Sequence, residues 1–381
     1  MSIPLMNVPL SGERVHVTYR LAGDEKLAHE KAAALVLEQT VEFPAELVPA
    51  GDIREKIVGH IAAFERADEN HFTAVIDYAA EITGGELAQF LNVLFGNSSL
   101  KPGIRVEKFE LPPALLEKFR GPRFGRAGWR ARLGLPKRPL LATALKPMGL
   151  APHALAELAY QFALGGIDLI KDDHGLADQT FCPFRERVEQ CAQAVARANR
   201  ATGMQCVYMP NLTAPADRVI ANARFARAAG AGALMIAPGL TGLDTMRLLA
   251  DDDSIALPIM AHPALQGSFV MHPDNGISHY ALFGQLARLA GADASIFPNV
   301  GGRFSFSRAE CASIVEGTQV EMGHVKPIFP TPGGGMSLER VQDMLELYGR
   351  EVIFLVGGGL HTHSPNLVAN CRAFRKMAEE F

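Results

Sequence analysis

No stretch of this 381-residue chain approaches the run of about 20 apolar side chains that a membrane-spanning helix needs. The N-terminus, MSIPLMNVPLSGERV, lacks the basic-then-apolar order of an export signal, so a cytoplasmic protein is expected. Positive charge is in short supply as well. The 37 Lys and Arg stand against 41 Asp and Glu, a net charge of −4, which leaves no basic field for a nucleic-acid backbone. Cysteines are few and scattered: Cys182, Cys191, Cys206, Cys311 and Cys371 form no CxxC pair. An odd number at such spacing fits reduced, mostly buried thiols rather than a disulfide framework. What the chain does have is apolar bulk. At 48% hydrophobic residues and this length it can bury a large core, which excludes a disordered or fibrous protein and predicts two or three domains.

The sequence changes character near residue 120, and the domain boundary is expected there, with residues 1–120 as one domain and 121–381 as the other. In the first part VHVTYRL (15–21), HFTAVIDYAAEI (71–82) and IRVEKFEL (104–111) alternate like half-buried strands. Lys26–Leu37 and GELAQFLNVLF (85–95) carry helical spacing, and the mixture predicts a small α+β domain. From Pro139 onward one unit recurs: a short apolar run, a polar or glycine-rich loop, then an amphipathic helix. The runs are LLATAL (140–145), DLIKDD (168–173), CVYMPNL (206–212), ALMIAP (233–238), PIMAH (258–262), ASIFPN (294–299), KPIFPT (326–331) and VIFLVG (352–357). Eight βα units over this length predict an α/β fold, a (β/α)8 TIM barrel. A doubly wound sheet would show a glycine fingerprint after its first strand, and LLATAL is followed by none.

A barrel puts its chemistry at the C-terminal strand ends. The first run ends in Lys146, Pro147, Met148 and Gly149, the second in Lys171, Asp172, Asp173 and His174. The third ends at Asn211, the fifth at His262, and the sixth leads into Asn299, Gly301, Gly302 and Arg303. The seventh and eighth lead to two glycine triplets, Gly333, Gly334, Gly335 and Gly357, Gly358, Gly359. Glycines let backbone N–H groups approach an anion, and loops 7 and 8 are the common phosphate cradle of barrels, although glycine also serves plain tight turns. Arg303 suits a phosphate or carboxylate through its bidentate fork. The KDDH run can hold a hard divalent ion or form a solvated charged loop. Lys146 is either a proton carrier made basic by partial desolvation or the ion-pair partner of a strand-2 Asp. His262 is either a second proton carrier or a hydrogen-bonded structural histidine. His361 and His363, after the last triplet, are rim ligands or part of a helix start.

Together these segments resemble the RuBisCO large-chain family, and within it the shortened, non-carboxylating RuBisCO-like proteins (type IV). The resemblance spans nearly the whole chain and implies a ferredoxin-like N-terminal domain before the barrel. LKPMGL (145–150) is similar to the family's KPKLGL, which places Lys146 at the residue that moves the enolisation proton. IDLIKDDH (167–174) resembles DFIKDDE, which places Lys171 at the carbamylated lysine and Asp173 and His174 at metal-ligand positions, with Mg2+ as the implied ion. MAHPA (260–264) resembles the strand-5 MHRA motif and sets His262 at the active-site histidine. VGGRF (300–304) stands where the mobile VGKLEG loop does, with Arg303 at the loop lysine. PGGGM (332–336) and VGGG (356–359) are similar to the family's phosphate loops, so Gly333, Gly334, Gly335, Gly357 and Gly358 are implied phosphate ligands. LEQTVEFP (37–44) and FGNSS (95–99) resemble segments that reach into a neighbouring subunit's site, which implies that Glu38 and Asn97 bind substrate there and that a homodimer is the smallest complete enzyme.

Departures from the family pattern redirect the function. Met148 replaces a second lysine, His174 a glutamate ligand and Pro263 an arginine; Ile296 and Gly333 stand at positions of a phosphate-binding histidine and serine. Ribulose bisphosphate carboxylation is therefore not expected. Enolisation of a phosphorylated keto substrate is. KDDH, EQTVE and NVGGRFSFS resemble the group that carries out transcarboxylation and hydrolysis of 3-oxo-isoapionate 4-phosphate to 3-phosphoglycerate and glycolate, with Arg303 on the substrate carboxylate. The alternative is an enolase or isomerase of a methylthio-ketose phosphate, with Met148, Ile296 and Phe297 offering an apolar pocket. A silent barrel that binds a phosphometabolite as a regulator, and a Schiff-base aldolase, are the remaining readings.

Overall fold

The computed structural model describes residues 9–135, 137–302, 304, 306–335, 337 and 340–380. The chain divides into two compact units. The first comprises the chain up to Arg120 with Gln266–Leu286 and Glu321–Val325; the second comprises Gly121–Leu265, Ala287–Val320 and the chain from Lys326 onward.

In the first unit, β1 (Arg14–Ala22) buries Val15, Val17, Tyr19 and Leu21 on one face, the period of two that its sequence carries. The helix Glu25–Glu38 follows, started by the Asp24 side chain, which accepts from the Leu27 N–H at 2.8 Å. Then come β2 (His60–Arg66), β3 (His71–Ala79), the helix Leu87–Phe95 and β4 (Ile104–Glu110). The antiparallel order β4-β1-β3-β2 is that of a ferredoxin-like βαββαβ sheet.

The second unit begins with the helix Gly125–Leu133 and then β5 (Leu140–Leu145), β6 (Leu169–Asp172), β7 (Val207–Met209), β8 (Leu234–Ile236) and β9 (Ile259–Ala261). After β9 the chain joins the first unit for a two-residue strand, β10 (Gly276–Ile277), which pairs parallel to β4. It returns for β11 (Ala294–Pro298), β12 (Phe329–Gly333) and β13 (Ile353–Leu355). The eight strands of this unit pair in parallel and in chain order, and β13 pairs with β5. A bridge between Asn211 and Met235 joins β7 to β8, so the ring is complete. This is a (β/α)8 barrel.

Alternate residues fill its interior: Leu140 and Ala142, Leu169, Val207 and Met209, Met235, Met260, Ala294 and Ile296, Phe329, Ile353 and Leu355. Trp129 and Leu133 of the helix Gly125–Leu133 join the same cluster. That helix is anchored by one carboxylate. Asp293 accepts from the Phe124 and Gly125 N–H groups at 2.7 and 2.6 Å and from the Ile259 N–H at 2.9 Å. An alanine at 293 leaves these donors without an acceptor in a buried place, so Asp293→Ala is expected to cost about 3 kcal/mol or more, read as a lower urea midpoint. A loss under about 1 kcal/mol would show that water takes over the three donors.

Candidate active site

The alternation that fills the barrel also aims the chemistry. Leu169 faces inward, so Lys171, two residues on, does too, and it is fully buried. Its ammonium donates to the Asp172 carbonyl at 2.9 Å. Burial is the main cause that pushes its pKa down to about 8; Asp173 works against the shift and Lys146 with it. Lys146, in phase with Leu140 and Ala142, leaves the end of β5 half-exposed and places Nζ 3.3 Å from Asp173 Oδ1. The same oxygen lies 3.4 Å from His174 Nδ1. Burial opposes ionisation of Asp173, but the His174 hydrogen bond and the charges of Lys171 and Lys146 outweigh it, and the carboxyl titrates far below its usual range.

His262, in phase with Met260 beyond β9, stacks on His174 with ring centroids 4.4 Å apart and planes 15° off parallel. Its Nδ1 accepts from the Ala264 N–H at 3.2 Å, which puts the ring proton on Nε2. Burial first, then Lys171 and His174, push its pKa down to about 2, so the ring is neutral at physiological pH. Four groups thus share the mouth above β5, β6 and β9: a cationic lysine, a carboxylate and two imidazoles.

Asp172 belongs to the other face. It points out of the barrel and accepts from Arg187 Nε at 3.0 Å, Tyr208 OH at 2.8 Å and the Asn211 N–H at 3.1 Å. Arg187, also fully buried, reaches the Cys182 and Ala177 carbonyls as well. Asn211 donates to the His174 and Leu176 carbonyls, so this outer network fixes the backbone that carries Asp173 and His174. These supporting residues have no local motif.

The glycines follow β12 and β13, the strands between β11 and β5 in the ring. Asn299 N–H donates to the Gly333 carbonyl at 2.9 Å and Tyr348 OH to Asn299 Oδ1 at 2.7 Å, which locks the ends of β11 and β12 together. Gly334 and Gly335 adopt φ of +86° and +67°, which favours glycine. Added Cβ atoms at Gly334, Gly357 and Gly358 would meet nothing within 4 Å, so these backbones face open space. Arg303 lies outside the described residues. Of the three apolar candidates only Met148 is half-exposed; Ile296 is in the barrel core, and Phe297 is buried with its ring on Tyr348. His361 packs edge-on against Phe162.

The sequence pattern that defines the ribulose bisphosphate carboxylase large chain, catalytic domain, matches residues 127–380. The chain belongs to the RuBisCO large-chain family. A curated relative, the 5-methylthioribulose-1-phosphate isomerase of Rhodospirillum rubrum, is 39% identical over 363 residues, 95% of each chain. Among solved structures, a Rubisco-like protein from Rhodopseudomonas palustris superimposes with a TM-score of 0.88 at 38% identity, covering 97% of this chain and 98% of that one. A dimeric archaeal Rubisco from Hyperthermus butylicus gives 0.87 at 26% identity, over 98% and 91% of the two chains.

The residues of the first unit that the resemblance singles out lie together. Asn97 Nδ2 is 3.3 Å from Glu38 Oε1 and 3.0 Å from Glu42 Oε1, and Lys101 Nζ donates to Glu38 Oε2 at 3.0 Å. The Lys101 hydrogen bond, with that of Asn97, holds the Glu38 carboxyl below its usual range. Glu42 and Lys101 complete a polar patch that the two motifs did not single out.

Among the described residues no three His, Cys, Asp or Glu side chains converge as metal ligands. Asp172 is committed to Arg187, which leaves Asp173 and His174 as donors beside Lys171. This set fits Mg2+ only with Lys171 as its carbamate, which replaces a buried cation with a single negative charge shared by two oxygens. The lowered pKa of Lys171 enlarges the fraction of neutral amine that carbamate formation needs. All five cysteines are buried and free, and among the described residues no helix is long and apolar enough to cross a membrane.

Proposed function

We propose that this RuBisCO-family chain isomerises a phosphorylated methylthio-ketose through an enediolate. The observation that carries the reading is the pairing of half-exposed Lys146 with Asp173 above buried Lys171, next to the neutral Nε2–H of His262. Isomerisation needs a group to take a proton from the carbon beside a carbonyl, a donor to hold the resulting oxyanion, and a return of the proton elsewhere. It needs no co-reactant. Lys146, freed from Asp173 as substrate enters, handles the proton; His262 donates to the oxygen; Gly334, Gly335, Gly357 and Gly358 receive the phosphate. Asp173, His174 and carbamylated Lys171 would hold Mg2+, whose contribution is polarisation of the carbonyl. The isomerase name of a relative at 39% identity supports the substrate class.

Transcarboxylation and hydrolysis of 3-oxo-isoapionate 4-phosphate shares the enolisation step but also needs a holder for the migrating carboxylate. The sequence offers Arg303 for that role, outside the described residues. Ribulose bisphosphate, with two phosphates, is not the substrate: Ile296 is buried in the core and Gly333 has no side chain where the family binds the second one. Phosphorus NMR with 5-methylthioribulose 1-phosphate should show a new phosphate ester of equal amount. Turnover of 3-oxo-isoapionate 4-phosphate to 3-phosphoglycerate instead would replace this reading with the hydrolase.

The reading extends to assembly. If Glu38 and Asn97 complete a neighbouring copy's site, two inactive variants should rescue each other. Mixing and reassembling Asn97→Ala with Lys146→Met protein is expected to restore about a quarter of wild-type turnover, since half of the random dimers carry one intact site. No recovery in verified mixed dimers would place both residues in one chain's own site or outside it.

A further inference from the structure

The loop after β11 and the glycine loop after β12 meet backbone to backbone. An added Cβ on Gly335 would lie 2.7 Å from the Cα of Gly302, and one on Gly302 would lie 3.0 Å from the Gly334 carbonyl. One side chain binds this junction. Arg340 donates from Nη2 to the Val300 carbonyl at 2.7 Å and from Nη1 to the Gly335 carbonyl at 3.0 Å, with the Gly301 carbonyl at 3.5 Å. All three acceptors are neutral, and among the described residues no carboxylate forms an ion pair with Arg340. Among the described residues only backbone carbonyls accept from it.

We propose that Arg340 is a positioning residue of the phosphate site, clamping the loop after β11 to the glycine loop after β12 so that their backbone N–H groups are preset for the anion. The proposal rests on the reading of these loops as the phosphate cradle. Its physical basis is peptide planarity. A peptide unit is rigid, so fixing a carbonyl also fixes the N–H on its far side. The bond to the Val300 carbonyl thereby fixes the Gly301 N–H, the bond to the Gly335 carbonyl holds the second loop against the first, and Gly301, Gly334 and Gly335 hold left-handed conformations that other loop geometries would lose. A guanidinium suits the task because its planar fork reaches two acceptors at once, which a lysine ammonium on a flexible stem does less well. The positive charge also favours a phosphate dianion nearby.

The test uses the full-length assembled protein, with inorganic phosphate as probe, followed by calorimetry, and the methylthio-ketose phosphate for kinetics. Arg340→Met keeps the length and removes both donors and charge; phosphate binding should weaken by about tenfold or more, and KM should rise in step while kcat moves less than about threefold. Arg340→Lys keeps the charge and should recover only part of the loss. Gly302→Ala separates the loops at the Gly334 carbonyl, leaving Arg340 and the proposed phosphate glycines in place, and should weaken phosphate binding likewise, which keeps the proposal testable if Arg340→Met does not fold. Unchanged phosphate affinity in the folded variants overturns the clamp while leaving the cradle in place. Full recovery by lysine also overturns it, since charge alone would then suffice. A wild-type protein that binds no phosphate overturns the clamp and the cradle together.

Discussion

Lys146→Met is expected to lower turnover of the phosphorylated ketose by about 10²- to 10⁴-fold, the usual worth of a positioned proton carrier. Folding should hardly change. Lys146 is half-exposed and its one ionic partner among the described residues is Asp173, so the melting temperature should stay within about 2 °C of wild type. Binding of inorganic phosphate should survive as well, because the glycine loops lie on other strands. That combination separates a lost proton carrier from a collapsed site. A variant that retains full turnover would move the proton transfer to another group, with Lys171 next in line.

The second large effect lies beneath the site. Arg187 and Asp172 are both fully buried, and removing one leaves the other's charge uncompensated. Arg187→Met is expected to destabilise the protein by about 3–5 kcal/mol in urea unfolding. The double variant Arg187→Met with Asp172→Asn should cost clearly less than the two single losses added together, since neither charge then remains alone. Strict additivity would show that the pair is not coupled. Turnover should fall further than stability alone explains, because Asn211, hydrogen-bonded to Asp172, also holds the His174 carbonyl.

Much of this architecture is legible in the sequence. Parallel barrel strands are buried on both faces and read as short apolar runs, so LLATAL is predicted and found over the same six residues, Leu140–Leu145. The elements that are harder to read obey other forces. β2 (His60–Arg66) is an edge strand with an irregular, mostly exposed pattern, and its register shifts between Ile61 and Ala63. The helix Leu243–Asp251 is a short piece that buries only Met246, Leu249 and Ala250. β10 exists through pairing with β4, far away in sequence, and local propensity has no say in it.

The site divides the same way. Strand-end position alone picks out Lys146, Lys171 and His262. Choosing between the neighbouring carboxylates of KDDH needs parity: Leu169 and Lys171 face in, hence Asp172 faces out to Arg187, and Asp173 is the one left for the mouth. Arg187, Tyr208 and Arg340 have no spacing signal, because their partners come from other strands and loops. Ile296 and Phe297 look like pocket walls by composition, but the same parity puts one in the core and the other against Tyr348.

The central claim is that this site moves a proton beside a carbonyl. The most direct measurement is proton NMR of 5-methylthioribulose 1-phosphate incubated with the protein in deuterium oxide, with Mg2+ and bicarbonate present. Loss of the proton signal on the carbon next to the carbonyl, in wild type and not in Lys146→Met, is the result predicted. A substrate that binds, as shown by a shifted phosphorus resonance, yet keeps every carbon-bound proton would contradict it.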